Sequence, residues 1–251
     1  MVNGQVNTQT PRTLVVGLGV TGLSCVRFLA SRGVPVAVCD SRDIPPGLKE
    51  LQQDHPDVAA FTGSFDERAF AAADRLVVSP GVSLKEPVIQ RAIARGVEVI
   101  GDIEIFLLHA AAPVIAITGS NGKSTVTTLV GEMAGKAGKH VAVGGNLGTP
   151  VLDMLSPDVE LYVLELSSFQ LELVHSLRAE AAVVLNLSPD HMDRYDSYAD
   201  YVAAKGVIYR NAKHAIVNRD DAAAMELANT ATASGFTLRE PAGKDFGLRT
   251  Q

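Results

Sequence analysis

Thr118-Gly119-Ser120-Asn121-Gly122-Lys123-Ser124-Thr125 lies between an apolar run at residues 113–117, which predicts a buried strand, and residues 126–134, which predict a helix. Strand, glycine-rich turn, Lys-Ser/Thr and helix is the layout of a phosphate-binding loop. The physical reason is local. Glycines let the backbone curl so that its N–H groups converge, and a helix N-terminus adds partial positive charge. Lys123 can reach β- and γ-phosphates, and Ser124 or Thr125 can hold Mg²⁺. The general pattern asks for a glycine where this chain has Ile117, so the loop is a shortened form. The plainer reading is a strand–helix turn capped by a serine. Gly-x-x-Gly-Lys-Ser-Thr behind a buried strand exceeds what capping needs. Gly119, Ser120, Asn121, Gly122, Lys123, Ser124 and Thr125 are therefore candidate nucleotide-binding residues.

Upstream, a short β-branched run at residues 13–16 leads into Gly17-Leu18-Gly19-Val20-Thr21-Gly22, a helical stretch at 23–31 and a second strand at 34–39 closed by Asp40. A G-x-G-x-x-G turn with an acidic residue about twenty positions on is a dinucleotide-fold signature. It speaks for the fold more than for the ligand, because any nucleotide can use such a turn. Strands predicted at 58–61, 75–78 and 97–100 alternate with helices at 66–73 and 86–95. This rhythm predicts one doubly wound parallel sheet whose ligands gather at strand carboxyl ends. Those ends carry Gly19 to Thr21, Asp40-Ser41-Arg42 and Ser79-Pro80-Gly81, with Arg42 the nearest cation for a diphosphate.

A boundary near Gly101 divides the chain into a Rossmann-like domain, residues 1–101, and a P-loop-type ATP-binding α/β domain, residues 102–251. In the second, strands are predicted at 140–143, 161–164, 181–185 and 215–218, with helices at 103–111 and 198–210. Glu165 stands at a strand end near the phosphate loop, the usual place for a second anchor of nucleotide-bound Mg²⁺. His191 follows the next strand, beside Asp190 and Asp193. Lys205, judged by residue type on a helix, reads as a surface lysine, and Asn146 and Gln170 as neutral hydrogen-bonders. Beyond Asn218 the pattern thins, although Asp245-Phe246-Gly247 resembles the start of another strand. The residues support an ATP and Mg²⁺ site next to a second nucleotide-binding domain.

Composition sets the bounds. The 251 residues are 47% hydrophobic and 20% charged, with a formal net charge of −6. That balance suits a globular chain with a sizeable core and lacks the basic footprint of nucleic-acid binding. Cys25 and Cys39 have no metal-site spacing and read as small core residues. The polar N-terminus and the lack of a membrane-length apolar run lead to the expectation of a cytoplasmic protein with no membrane partner.

Gly17-Leu18-Gly19-Val20-Thr21-Gly22-Leu23-Ser24, Ser79-Pro80-Gly81, Gly119-Ser120-Asn121-Gly122-Lys123-Ser124-Thr125, Gly144-Gly145-Asn146, Glu165-Leu166-Ser167-Ser168-Phe169-Gln170-Leu171-Glu172 and Asp190-His191-Met192-Asp193-Arg194-Tyr195 occur in the order seen in Mur ligases. From about residue 14 to residue 218 the chain resembles that family, most of all its D-glutamate-adding members. The shortened phosphate loop is the form that family uses. The resemblance implies an ATP-dependent amide ligase of peptidoglycan precursor synthesis. It would activate UDP-N-acetylmuramoyl-L-alanine as an acyl phosphate and join it to D-glutamate.

By the same resemblance, Val20, Thr21, Ser41, Arg42 and Gly81 would contact the UDP part, and Asn146, Ser167 and Gln170 the muramoyl-alanine end. Ser41 stands where relatives are expected to carry threonine, which keeps the hydroxyl. Ser124 or Thr125 with Glu165 would hold one Mg²⁺, and His191 a second. Lys205 matches a lysine carbamylated by CO₂, which turns a cation into an anion able to support that second ion. Lys123, His191 and Lys205 would form the catalytic set. A monomer is expected. The family also has a C-terminal D-glutamate-binding domain and a longer middle domain with adenine contacts. Against that pattern the chain reads as C-terminally truncated, a fragment expected to keep UDP binding with little or no ligase activity. The competing readings are an NAD-dependent dehydrogenase from the first glycine motif alone, a kinase, and a non-catalytic nucleotide-binding module.

Overall fold

The computed structural model describes residues 11–228 and 233–248. The chain forms two compact units, Met1–Asp102 and Ile103–Gln251. No helix among the described residues is long and apolar enough to cross a membrane.

The first unit runs β1 (Thr13–Val16), α1 (Val20–Ser31), β2 (Val36–Asp40), α2 (Leu48–Asp54), β3 (Ala59–Thr62), α3 (Glu67–Ala72), β4 (Arg75–Val78), α4 (Pro87–Ala94) and β5 (Glu98–Ile100). Its strands form one sheet in the order β3-β2-β1-β4-β5, parallel throughout. Central β1 is buried along its whole length, which is why Thr13-Leu14-Val15-Val16 shows no polar alternation. The chain steps from β1 to β2 and β3, then crosses back to β4, so β1 and β4 flank the point where strand order reverses. The Gly17–Gly22 turn and Ser79-Pro80-Gly81 follow those two strands, and the Ser79 hydroxyl donates to the Gly17 carbonyl at 2.9 Å. Helix α1 begins at Val20, three residues before the sequence expectation, because Gly22 can sit in its first turn against the end of β1. A Cβ there would lie 1.9 Å from the Gly17 carbonyl oxygen. Helix α2 is absent from the sequence reading. It buries Leu51 alone and so leaves no periodic signal.

The second unit opens with α5 (Asp102–His109), then β6 (Val114–Thr118), α6 (Lys123–Lys136), β7 (Val141–Gly145) and β8 (Leu161–Glu165). It continues with α7 (Ser168–Leu171), β9 (Ala181–Val184), α8 (Tyr198–Gly206), β10 (His214–Asn218), α9 (Ala222–Leu227) and β11 (Ser234–Phe236). The parallel sheet has the order β11-β10-β9-β6-β8-β7. Strand β6 is paired on one side with β8, Ile117 opposite Glu165, and on the other with β9, Thr118 opposite Val184. Ile117, Val163, Val183 and Leu185 make a core against which Val126 and Val130 of α6 pack. The predicted helix at 198–210 ends earlier, at Gly206, and a 3-10 turn (Val207–Tyr209) follows. That turn brings the Tyr209 hydroxyl to accept from Val184 N–H at 2.8 Å and donate to the Ile216 carbonyl at 2.7 Å. Phe246 makes an isolated parallel bridge to Phe236 where the sequence suggested a further strand.

Replacing Gly22 with alanine forces backbone against backbone, so Gly22→Ala is expected to lower the unfolding free energy by roughly 3 kcal/mol in urea titration. A loss under about 1 kcal/mol would contradict the packing of α1 on the glycine turn.

Candidate functional site

The phosphate loop leaves β6 at Thr118 and enters α6 at Lys123 through Gly122, whose φ of 79° is a left-handed conformation open to glycine. With no side-chain cap on α6, its first N–H groups are left for a ligand. The Lys123 ammonium folds back onto the carbonyls of Gly119 and Ser120, at 2.9 and 3.0 Å. These bonds hold the ammonium over the loop. Ser124 and Thr125 are exposed on the first turn of α6.

Glu165 ends β8 and is buried. Its Oε1 accepts from the Asn146 amide at 2.6 Å, while Oε2, fully enclosed, has no hydrogen-bond partner. A buried carboxylate oxygen without a partner is costly, and a cation removes that cost. Asn146 reaches Glu165 because Gly145, at φ 103°, passes over the end of β8, where a Cβ would lie 2.3 Å from the Glu165 carbonyl oxygen. The described residues hold no cluster of three or more His, Cys, Asp or Glu fit for a metal. Glu165 with the hydroxyl of Ser124 or Thr125 would make an all-oxygen donor set, the kind that suits Mg²⁺.

Lys205 is 2% exposed, against its reading by residue type as a surface lysine. One turn after Tyr201 on α8, it points under the phosphate loop and donates to the Gly119 carbonyl at 3.0 Å and to Thr118 Oγ1 at 3.2 Å. Burial, then the charge of Lys123, push its amine down to about 7, against the pull of Asp190 and Glu165. His191 lies half exposed in the segment after β9, its ring tilted at 51° against that of Phe169 with 4.8 Å between ring centres. It holds a left-handed φ of 56°, uncommon for a non-glycine residue. Its Nε2 is 3.5 Å from Asp190 Oδ2. Ser167 and Gln170 form the capping box of α7: Ser167 Oγ accepts from Gln170 N–H, and Gln170 Oε1 from Ser167 N–H. These two residues thus hold each other and cap α7.

In the first unit, Val20 and Thr21 open α1, Ser41 and Arg42 follow β2, and Gly81 follows β4, all at the carboxyl edge of the sheet. Buried Asp40 accepts from Leu18 N–H at 2.7 Å, from Arg42 N–H at 2.9 Å, and from Arg42 Nε and Nη2 at 2.8 and 2.6 Å. Burial pushes its carboxyl up, but the hydrogen bonds from Arg42 and Leu18 and the Arg42 charge outweigh this and hold it below the usual range. All four acceptor directions of the carboxylate are filled. A dinucleotide fold needs that carboxylate for ribose hydroxyls, so the arrangement counts against NAD. The sequence reading did not single out Asn186 or Tyr201. Their roles depend on hydrogen bonds reaching across 65 or more positions, from Asn186 to Asn121 and from Tyr201 to Ser120.

The sequence matches the family model described as Mur ligase MurD-like, N-terminal domain, over residues 11–101, and that of the Mur ligase middle domain over residues 117–245. It is 56% identical over 237 residues to the UDP-N-acetylmuramoylalanine–D-glutamate ligase of Pseudomonas putida, covering 94% of this chain and 53% of that protein. It is 60% identical over 217 residues to the ligase of the same name from Marinobacter nauticus, covering 86% and 49%. The chain thus spans about half the length of the curated relatives it matches. A solved UDP-N-acetylmuramate:L-alanyl-gamma-D-glutamyl-meso-diaminopimelate ligase from Neisseria meningitides superposes with a TM-score of 0.60 at 17% identity, over 91% of this chain and 78% of that one. UDP-N-acetylmuramate-alanine ligase MurC of Thermotoga maritima does so at 0.54 and 19% identity, over 92% and 53%. At these identities the likeness is one of fold.

An amine at about 7 in the folded chain and at 10.5 when unfolded makes the unfolded state bind more protons between those values. Stability is therefore expected to rise with pH through that window. In CO₂-free buffer, the wild type should gain roughly 2 kcal/mol over Lys205→Met between pH 7 and 9 in urea titration. Parallel pH profiles would contradict the burial of a titrating amine.

Proposed function

The chain belongs to the Mur ligase family, and from that premise we propose that it supplies the UDP-substrate and ATP-phosphate sites of an enzyme joining D-glutamate to UDP-N-acetylmuramoyl-L-alanine. The observation that carries the ATP half is Glu165 Oε2, a buried carboxylate oxygen without a partner, one strand over from a phosphate loop. The choice of D-glutamate and of the muramoyl-alanine substrate is supported by the names of the half-covered relatives. In this reading residues 1–101 bind the UDP part through Val20, Thr21, Ser41, Arg42 and Gly81. Residues 102–251 bind ATP through Gly119 to Thr125. Asn146, Ser167 and Gln170 face the muramoyl-alanine end.

The reaction brings two anions together. A carboxylate oxygen of the substrate attacks the γ-phosphorus, ADP leaves, and an acyl phosphate forms. The D-glutamate amine then attacks the acyl carbon, loses a proton, and inorganic phosphate departs with the new amide bond in place. Lys123 swings from the Gly119 and Ser120 carbonyls to the phosphates, where its charge offsets that of the group in transfer. The N–H groups opening α6 orient those phosphates. Asn146 holds Glu165 through Oε1 and leaves Oε2 for the ion. Glu165 with Ser124 or Thr125 would hold one Mg²⁺, and His191 and a carbamylated Lys205 a second; bound there, the ions screen phosphate from carboxylate. Lys205 suits carbamylation because a buried amine pushed down to about 7 is largely neutral near physiological pH. Its nitrogen lone pair can add to CO₂ while a proton leaves to solvent.

The binding arms are tested on the chain itself. Mg·ADP and UDP-N-acetylmuramoyl-L-alanine are each expected to bind in calorimetry, and Lys123→Ala to abolish the first while sparing the second. Equal Mg·ADP affinity in Lys123→Ala, or NADH binding by fluorescence titration, would contradict the reading. With ¹³C-bicarbonate, a carbamate resonance is expected in the wild type and lost in Lys205→Arg; its presence in both would remove Lys205 from the second-ion site.

A further inference from the structure

We infer that Asn186 is a positioning residue that holds the shortened phosphate loop in its anion-ready shape and fixes it to the segment bearing His191. This rests on the ATP reading above. The Asn186 carboxamide and Asn121 backbone pair reciprocally: Asn121 N–H donates to Asn186 Oδ1 at 2.8 Å, and Asn186 Nδ2 donates to the Asn121 carbonyl at 3.0 Å. One residue earlier, Ser120 N–H donates to the Asn186 carbonyl at 2.9 Å. Ser120 Oγ accepts from Ser188 N–H at 2.9 Å and donates to the Ser188 carbonyl at 3.0 Å. Tyr201, whose hydroxyl is 2.8 Å away, must then donate to Ser120 Oγ, which completes that oxygen's valences.

The strap spends the N–H groups of Ser120 and Asn121 on protein. The groups left for an anion are those that follow, from Gly122 into α6, and their direction is set by how Asn121 is held. A loop short of the general pattern has fewer residues with which to hold itself, and here a neighbouring strand end supplies the grip. The same segment continues within five positions to Asp190 and His191, so the strap also sets the spacing between loop and imidazole.

The amide does more here than fill space. Asn121 is exposed, so water can satisfy its N–H and carbonyl when Asn186 is removed. Loss of the side chain should therefore weaken anion binding more than folding.

The test uses the chain with Mg·ADP as probe in calorimetry at pH 8, with urea titration of each variant alongside. Asn186→Ala is expected to bind about tenfold more weakly, the order of one lost hydrogen-bond pair, while its unfolding midpoint stays near that of the wild type. Asn186→Asp is nearly isosteric. Its carboxylate keeps an acceptor for Asn121 N–H but cannot donate to the Asn121 carbonyl, and affinity should fall about tenfold with folding again nearly unchanged. A residue that only props up the fold would lose stability and binding together. Wild-type binding with both variants within twofold of it overturns the inference, as does a loss of binding matched by an equal loss of unfolding free energy. Failure of the wild type to bind Mg·ADP is a distinct result that overturns the ATP reading and this inference with it.

Discussion

A parallel sheet can offer ligand-binding groups only where its strands end, and in the second unit three such ends converge on one point. Strand β6 lies between β8 and β9, with Ile117 opposite Glu165 and Thr118 opposite Val184. That register puts the phosphate loop, the Glu165 carboxylate and the Asn186–His191 segment side by side. A shift of one residue in β8 would exchange Glu165 with its neighbours and turn its side chain to the other face. The site thus follows from strand pairing, and α8 completes it from below. Its Tyr201 and Lys205, four residues apart on one helix face, reach Ser120 and Gly119.

The parts of this arrangement that sequence makes legible are those with local causes. Continuous apolar runs such as Val114–Thr118 and Leu161–Glu165 announce buried parallel strands, and glycines with Lys-Ser-Thr announce the loop between strand and helix. Short elements escape notice. Helix α2 buries one residue, α9 buries Ala224, and β11 is three residues with a glycine at its centre, so none carries a full period. Side-chain partnerships across long separations escape as well. Residue type makes Lys205 a surface lysine, and only the resemblance to the family argued otherwise. Its burial comes from α8 packing under a loop 86 positions away.

The first unit shows the difference between a fold signature and a ligand signature. Gly17 to Gly22 and Asp40 have the spacing of a dinucleotide site, and the sheet they build has its ligand crevice at the β1–β4 switch point. Yet Asp40 is spent on Leu18 and Arg42. What the glycine motif fixes is the close approach of α1 to β1. What may bind is decided by which donors and acceptors remain free, and the remaining N–H groups of Arg42 favour an anion over ribose hydroxyls.

Glu165 Oε2 is the point at which fold, electrostatics and chemistry meet, and Mg²⁺-dependent nucleotide binding measures it most directly. If the strand ends build an ATP–Mg²⁺ site, Mg²⁺ should tighten ADP binding to the wild type about tenfold or more, and Glu165→Gln should remove that enhancement while leaving metal-free ADP binding nearly unchanged. An equal Mg²⁺ enhancement in Glu165→Gln would contradict the account.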